Sequence, residues 1–193
     1  RAPRKFTKGT AGEEFWIWLQ LKTIADIGII GLPNAGKSTL LSSITSANPK
    51  IANYKFTTLN PNLGVAVYDD KEITLADIPG LIEGAHSGIG LGIKFLKHIE
   101  RCKILLHIID VTENDLVLSY KQIRNELKKY SNDLIKKKEI IVFNKVDLIK
   151  DRELKEKIKL FEEKIKKKVG ILSNTEKKLI SKLKSNLLGH VFK

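Results

Sequence analysis

The chain has 193 residues, 42% of them hydrophobic and 30% charged, with 35 Lys plus Arg against 22 Asp plus Glu and a net charge of +13. That length and balance predict a soluble globular domain with one buried core and room for a small extra piece. The longest apolar stretch, Ile104–Val111, is broken by His107 and is too short to span a bilayer, and no secretory signal follows the basic N-terminus.

Residues 1–12, with Pro3, Gly9 and Gly12, read as a basic linker. Glu13–Lys22 alternates, with Phe15, Ile17, Leu19 and Leu21 on one face and Trp16 and Trp18 on the other. This predicts the last strand of an upstream domain. The absence of Met reads the chain as a fragment or a processed product. From Ile24 strands and helices alternate. A buried strand (Ile24–Ile30) leads through a loop at 31–38 into a helix ending near Ser46. A loop over 47–62 precedes a hairpin, Leu63–Tyr68 and Glu72–Asp77, turning at Asp69-Asp70. Five glycines make 79–92 a mobile segment, and a helix over Ile93–Arg101 follows it. Next come a strand at Ile104–Asp110, a helix carrying Leu116, Tyr120, Ile123, Leu127 and Tyr130, and a strand at Glu139–Phe143. The last elements are a helix carrying Leu154, Ile158, Phe161 and Ile165, a brief strand at Val169–Leu172, and an amphipathic helix over 176–188. The alternation predicts an α/β fold, a mostly parallel six-stranded sheet with helices on both faces. The triplets Lys136-Lys137-Lys138 and Lys166-Lys167-Lys168 read as solvated turns.

Three motifs carry chemistry. Gly31-Leu32-Pro33-Asn34-Ala35-Gly36-Lys37-Ser38 fits the phosphate-binding loop of P-loop NTPases. Gly31 and Gly36 let backbone N–H groups converge on phosphates at a helix N-terminus. Lys37 supplies a cation to the β- and γ-phosphates, and the Ser38 hydroxyl suits Mg2+. Asp77-Ile78-Pro79-Gly80 ends a strand, where Asp77 can hold Mg2+ through water and the Gly80 N–H can reach a γ-phosphate. Loss of that phosphate would release the glycine-rich segment behind it. Asn144-Lys145-Val146-Asp147 follows another strand. The Asp147 carboxylate can accept from N1–H and the exocyclic amine of guanine, which adenine does not offer. The Lys145 stem can cover the base, and Asn144 can tie this loop to the phosphate loop. Asp147 or Asp151 as a helix cap is the plainer alternative. A threonine of Thr57-Thr58 is placed to complete Mg2+ coordination. Ser173-Asn174-Thr175 is either a brace for the base through backbone N–H groups or a helix N-cap.

Other features point less sharply. Cys102, the single cysteine, excludes an internal disulfide, suits a reducing cytoplasm, and reads as a small buried side chain. Lys94, Lys97, His98, Arg101 and Lys103 could form a basic patch, while His98 and His107 lack metal-ligand spacing. The net charge fits either RNA and ribosomal surfaces or merely solvated lysine-rich helices.

These motifs lie in longer stretches that resemble the Obg family of ribosome-associated GTPases. They are Leu21–Gly28 leading into Gly31–Leu41, Phe56–Gly64, Asp77–Ala85, and Gly90-Leu91-Gly92 followed by Phe95–Arg101. The resemblance implies a small-GTPase fold over residues 23–193, with 1–22 as the end of a glycine-rich N-terminal domain. It implies a monomeric GTP-hydrolysing switch acting in large ribosomal subunit assembly and growth control, with the large subunit or its rRNA as partner. It makes Ser38 and Thr58 direct Mg2+ ligands, and adds Thr39, Phe56 and Thr57 to the nucleotide contacts. Where the family has Ser-Ala in the last base loop, this chain has Ser173-Asn174. Leu81 stands where Ras-like enzymes carry a water-orienting glutamine, so slow hydrolysis is expected. In related GTPases an asparagine at the position of Asn34 helps hold K+ near the phosphates; local hydrogen bonding is the equal alternative. An RNA-binding module with structural nucleotide and a P-loop ATPase are the competing functions.

Overall fold

The register of one parallel sheet decides which loops of this chain can meet. The structure is a computed structural model and describes residues 7, 9–17, 25–45, 50–51, 62–68, 70–77 and 100–192. Its strands are β1 (Ala25–Ile30), β2 (Lys50–Ile51), β3 (Asn62–Tyr68), β4 (Lys71–Asp77), β5 (Cys102–Asp110), β6 (Lys138–Asn144) and β7 (Val169–Ile171). Its helices are α1 (Lys37–Ile44), α2 (Leu116–Tyr130), α3 (Asn132–Lys136), α4 (Asp151–Ile165) and α5 (Lys177–Val191), with a 3-10 turn at Val146–Leu148. The sheet order is β2-β3-β4-β1-β5-β6-β7. β4, β1, β5, β6 and β7 run parallel, and the β3–β4 and β2–β3 pairs are antiparallel. The six expected strands are all there. The seventh, β2, is a two-residue addition pairing Lys50 with Leu63 and Ile51 with Asn62, too short to register as a pattern.

Alternation along the strands builds two cores. Ile27, Ile29, Leu75, Leu106, Ile108 and Val142 meet α1 and α5 on one face. Leu105 with Ile123 and Leu127, and Ile109, Ile141 and Phe143 with Tyr120, Leu154 and Phe161, fill the other. Apolar positions spaced by helical turns on α2 and α4 supply the matching stripes. Asp70 at φ 58 closes the β3–β4 hairpin in the left-handed region that aspartate tolerates. The short helix α3 is unforeseen, although Ser131 caps it by accepting from Asp133 N.

Residues 13–17 pair with no strand among the described residues, and Phe15, Trp16 and Ile17 stand exposed. One expectation is corrected. The lysine triplets are not merely solvated. Lys137 Nζ donates to the carbonyls of Glu100 (2.8 Å) and Cys102 (2.6 Å), and Lys167 Nζ binds Glu139 at 2.7 Å. Cys102 is buried, and desolvation pushes its thiol up to about 12.

Candidate nucleotide site

All five parallel strands end on one side. Register sets Ile29 beside Asp77, Ile30 beside His107, Asp110 beside Asn144 and Phe143 beside Ile171. The loops that follow Ile30, Asp110, Asn144 and Ile171 therefore share one rim, as ligand-binding loops of open α/β sheets do. A cavity of about 560 Å³ opens there. Its walls include Asn34, Gly36, Lys37, Ser38, Asn144 and Asp147, with Thr39, Lys145, Leu148, Asn174 and Thr175 completing them. A larger groove of about 730 Å³ between β7 and α5 holds none of the expected site residues.

The phosphate loop is shaped by backbone before chemistry. Gly31 (φ 153), Asn34 (φ 61) and Gly36 (φ 91) all have positive φ. The last two lie where glycine and, among other residues, asparagine are tolerated best. Ala35 N bonds Leu32 O at 3.3 Å, which closes the turn through Pro33. A Cβ on Gly31 would strike the Ile108 carbonyl, so that glycine is also required by close approach to β5. Gly36 then starts α1 with no side-chain cap and no acidic residue in the first turn. α2, by contrast, is capped by Asp115, which accepts from Val117 N and Leu118 N. The N–H groups of the first turn of α1 thus lack the carboxylate that satisfies those of α2, and they face the cavity rim.

Lys37 is buried and donates to Gly31 O (3.1 Å) and Leu32 O (2.9 Å), folding its ammonium back over the loop. Ser38 Oγ donates to Asp77 Oδ2 at 2.5 Å, although the two residues are 39 apart in sequence. Asp77 is buried, and its Oδ1 has no hydrogen-bond partner among the described residues. A hydroxyl and a buried carboxylate with one unclaimed oxygen form a hard, oxygen-only donor set that fits Mg2+.

The loop after β6 is fixed by three backbone bonds: Val111 N to Asn144 O (3.0 Å), Leu172 N to Phe143 O (2.8 Å) and Val146 N to Leu172 O (3.3 Å). Asn144 is fully buried, and its Nδ2 donates to Ala35 O at 2.8 Å, tying this loop to the phosphate loop. Lys145 sits at φ 63, and its ammonium pairs with Asp110 Oδ2 at 2.5 Å. Burial alone would raise the Asp110 pKa, but Lys145 and the hydroxyl and N–H of Thr112 hold it below the usual carboxylate value. Neither Asp147 nor Asp151 caps a helix: α4 starts at Lys150 without a side-chain cap, and Asp147 lines the cavity. Ser173 and Thr175 bond each other at 2.7 Å and do not cap α5 either. Asn174 Nδ2 reaches Gly36 O at 3.2 Å.

The structure therefore gathers Gly31 to Thr39, Asp77, Asn144, Lys145, Asp147 and Ser173 to Thr175 at one end of the sheet. Phe56, Thr57, Thr58, Ile78, Pro79 and Gly80 lie outside the described residues, as do the glycine-rich segment and Lys94, Lys97 and His98. Lys103 is held by Asp26 at 2.8 Å. Asp110, Thr112 and Leu148 were not foreseen. The available signal for Asp110 was its place at the end of β5, one register step from Asn144.

A phosphate loop with its Lys and Ser, a strand-end Asp, and an Asn-Lys-x-Asp loop around one cavity define a P-loop nucleotide-binding domain of the small-GTPase type. The profile of the "50S ribosome-binding GTPase" family matches residues 26–145, and the chain belongs to that family. It is 69% identical over 191 residues to GTPase Obg of Pelagibacter ubique (strain HTCC1062), covering 99% of this chain and 58% of that protein. It is 56% identical over 193 residues to GTPase Obg of Ehrlichia ruminantium (strain Gardel), covering 100% of this chain and 56% of that protein. The chain thus spans little more than half the length of these relatives, and the resemblance to Obg GTPases read from the sequence is borne out. Among solved structures it is similar to Era in complex with MgGDPNP and nucleotides 1506–1542 of 16S ribosomal RNA. That match has a TM-score of 0.66 and 26% identity over 86% of this chain and 56% of the other. The FeoB G-domain of Methanococcus jannaschii shares the fold, with a TM-score of 0.59 and 23% identity over 88% of this chain and 98% of that one.

Proposed function

We propose that this chain is the nucleotide-operated part of a GTP-hydrolysing switch that acts with the large ribosomal subunit. The observation that carries the reading is the convergence of Lys37, Ser38, Asn144 and Asp147 on one cavity at the uncapped start of α1. Phosphates would lie against the first-turn N–H groups and the Lys37 ammonium. Lys37 would offset the charge that builds on the phosphoryl oxygens as the terminal group is transferred to water. Asp147 would accept from the guanine edge, and a site organised around that pair rejects a base lacking it by roughly 10⁴-fold or more. Ser38 and Thr58 would hold Mg2+ directly and Asp77 through water; when bound, the ion neutralises charge on the phosphate oxygens. Thr58 and Gly80 would sense the γ-phosphate, while Phe56, Thr57 and the backbone of Ser173–Thr175 complete the nucleotide contacts.

Leu81 supplies no water-orienting amide, so intrinsic turnover is slow and K+ beside Asn34 is the proposed aid. Membership in the 50S ribosome-binding GTPase family, the net charge of +13, and the rRNA held by Era support a ribosomal partner. A monomer in the cytoplasm completes the proposal.

Calorimetry with GDP, GTP and ATP tests the reading. Both guanosine nucleotides bind, ATP does not compete, and Asp147→Ala abolishes the preference. Phosphate release is faster in KCl than in NaCl, and Asn34→Ala removes the difference. No heat from either guanosine nucleotide overturns the proposal.

A further inference from the structure

Two asparagines, one at the end of β6 and one in the loop after β7, grip consecutive carbonyls of the phosphate loop. Asn144 Nδ2 donates to Ala35 O at 2.8 Å, and Asn174 Nδ2 donates to Gly36 O at 3.2 Å. Gly36 O also accepts the first helical bond of α1, from Leu40 N at 2.9 Å. Both amides crowd the missing side chain of Gly36: a Cβ there would collide with Asn144 and press on Asn174 Nδ2 at 3.0 Å. Asn174 thus spans 138 residues to reach the phosphate loop from the loop that follows β7.

A trans peptide unit holds its C=O and N–H antiparallel. Fixing the Ala35 carbonyl toward Asn144 therefore turns the Gly36 N–H away from it. Fixing the Gly36 carbonyl toward Asn174 does the same for the Lys37 N–H. Both N–H groups belong to the helix start that has no intrahelical acceptor. They are the donors an anionic ligand would use.

We propose that Asn174 is a positioning residue: its side-chain amide locks the base-side loop to the phosphate loop and aims the Lys37 N–H at the nucleotide's phosphates. Binding of the base and ordering of the phosphate loop are then one event. The inference rests on the guanine-nucleotide reading above. It assigns to the Asn174 side chain a task separate from base contact through its backbone.

The test uses the whole chain and two variants. Asn174→Ala removes the donor, and Asn174→Asp keeps the shape while placing an acceptor against the Gly36 carbonyl. One net hydrogen bond predicts GDP release about 2- to 10-fold faster in Asn174→Ala. Release from Asn174→Asp is at least as fast. Amide hydrogen exchange over residues 31–38 of the GDP complex accelerates in both variants, across the cavity from the substitution. The preference for GDP over inosine diphosphate, which lacks the exocyclic amine, stays within about twofold because Asp147 carries it. Wild-type behaviour of Asn174→Asp, or unaltered exchange over 31–38, overturns the lock. A collapse of the inosine discrimination also overturns it, making Asn174 a base-reading residue. A wild-type chain that binds no GDP refutes the guanine-nucleotide reading instead. The lock is then read from exchange over 31–38 without nucleotide, which Asn174→Ala must still accelerate.

Discussion

The two ends of the parallel sheet treat buried carboxyl and amide oxygens in opposite ways. At its C-terminal end Asp77 Oδ1, Asn144 Oδ1 and Asn174 Oδ1 are buried without a hydrogen-bond partner among the described residues. Roughly 17 Å away along β6, at five residues' rise, Glu139 is satisfied on both oxygens. Oε1 accepts from His107 Nδ1 at 3.0 Å. Oε2 accepts from Tyr120 Oη at 3.0 Å and Lys167 Nζ at 2.7 Å; Arg124 Nη1, 3.7 Å away, pairs with it by charge alone and makes no hydrogen bond among the described residues. His107 and Tyr120 also stack, with centroids 5.2 Å apart. Leaving a polar atom buried and unpaired is costly, and few such atoms survive in a native fold without a reason. The saturated end ties α2 and the loop before β7 to β5 and β6. Under the proposed function, the unsaturated end is kept for atoms that arrive with the nucleotide.

This contrast is broken most sharply by Glu139→Gln. Glu139 and His107 side chains are each only 1% exposed, and the substitution leaves Arg124 and a partly exposed Lys167 facing a neutral amide. Losing the charge-assisted part of such a hydrogen bond costs about 1.5–3 kcal/mol. Urea unfolding of Glu139→Gln should show that loss, while calorimetry shows guanosine nucleotide affinity unchanged at temperatures where the variant is folded. A parallel loss of affinity would mean that the two ends are mechanically coupled.

The reverse experiment is Lys37→Ala. It removes a buried cation from the unsaturated end, where the ammonium donates to the carbonyls of Gly31 and Leu32. Stability should stay within about 1 kcal/mol of wild type, the worth of an ordinary net hydrogen bond. GTP turnover should fall by about 10²–10³-fold, the usual cost of deleting one donor to transition-state charge. Single-turnover phosphate release measures it. Loss of stability without loss of turnover would show that the lysine serves the loop and not the ligand.

The same contrast explains what the sequence could reveal. The nucleotide end is built from short, local motifs whose spacing is the geometry: the turn through Gly31 and Gly36 and the strand ends at Asp77 and Asn144 follow from neighbours in the chain. The alternation of strands and helices likewise gave the sheet and its two-faced core. The Glu139 cluster has no local signature. Glu139 opens an apolar strand, His107 interrupts another, and Lys167 sits in a run of three lysines that reads as solvated. Only the pairing of Leu105 with Glu139 and of His107 with Ile141 brings them together. Asp110 escaped notice for the same reason, since its partner Lys145 lies 35 residues on. The alternating segment at 13–17 meets no ladder among the described residues, and a strand-like pattern forms a strand only where a ladder exists to receive it.

Acid gives the smallest effect at any pH above 4, and the one that separates the members of the cluster. Burial by itself would raise the Glu139 pKa, but the His107 and Lys167 hydrogen bonds and the Arg124 charge outweigh it and hold the carboxyl at about 2, against an ordinary 4.5. The unfolded chain therefore takes up a proton first. The stabilisation from Glu139 is whole above about 4.5 and is lost as pH falls toward 2. His107 works in the same sense at higher pH. Burial holds it below its ordinary 6.5, so it stays neutral and donates through Nδ1–H while the unfolded histidine protonates. Urea midpoints should thus decline gently as pH drops below 6.5 and steeply below 4.5. In Glu139→Gln the steep part should flatten and the gentle part remain. A steep acid limb that survives the substitution would place the responsible carboxylate outside this cluster, and the saturated end would then be a packing device and not the electrostatic anchor of the fold.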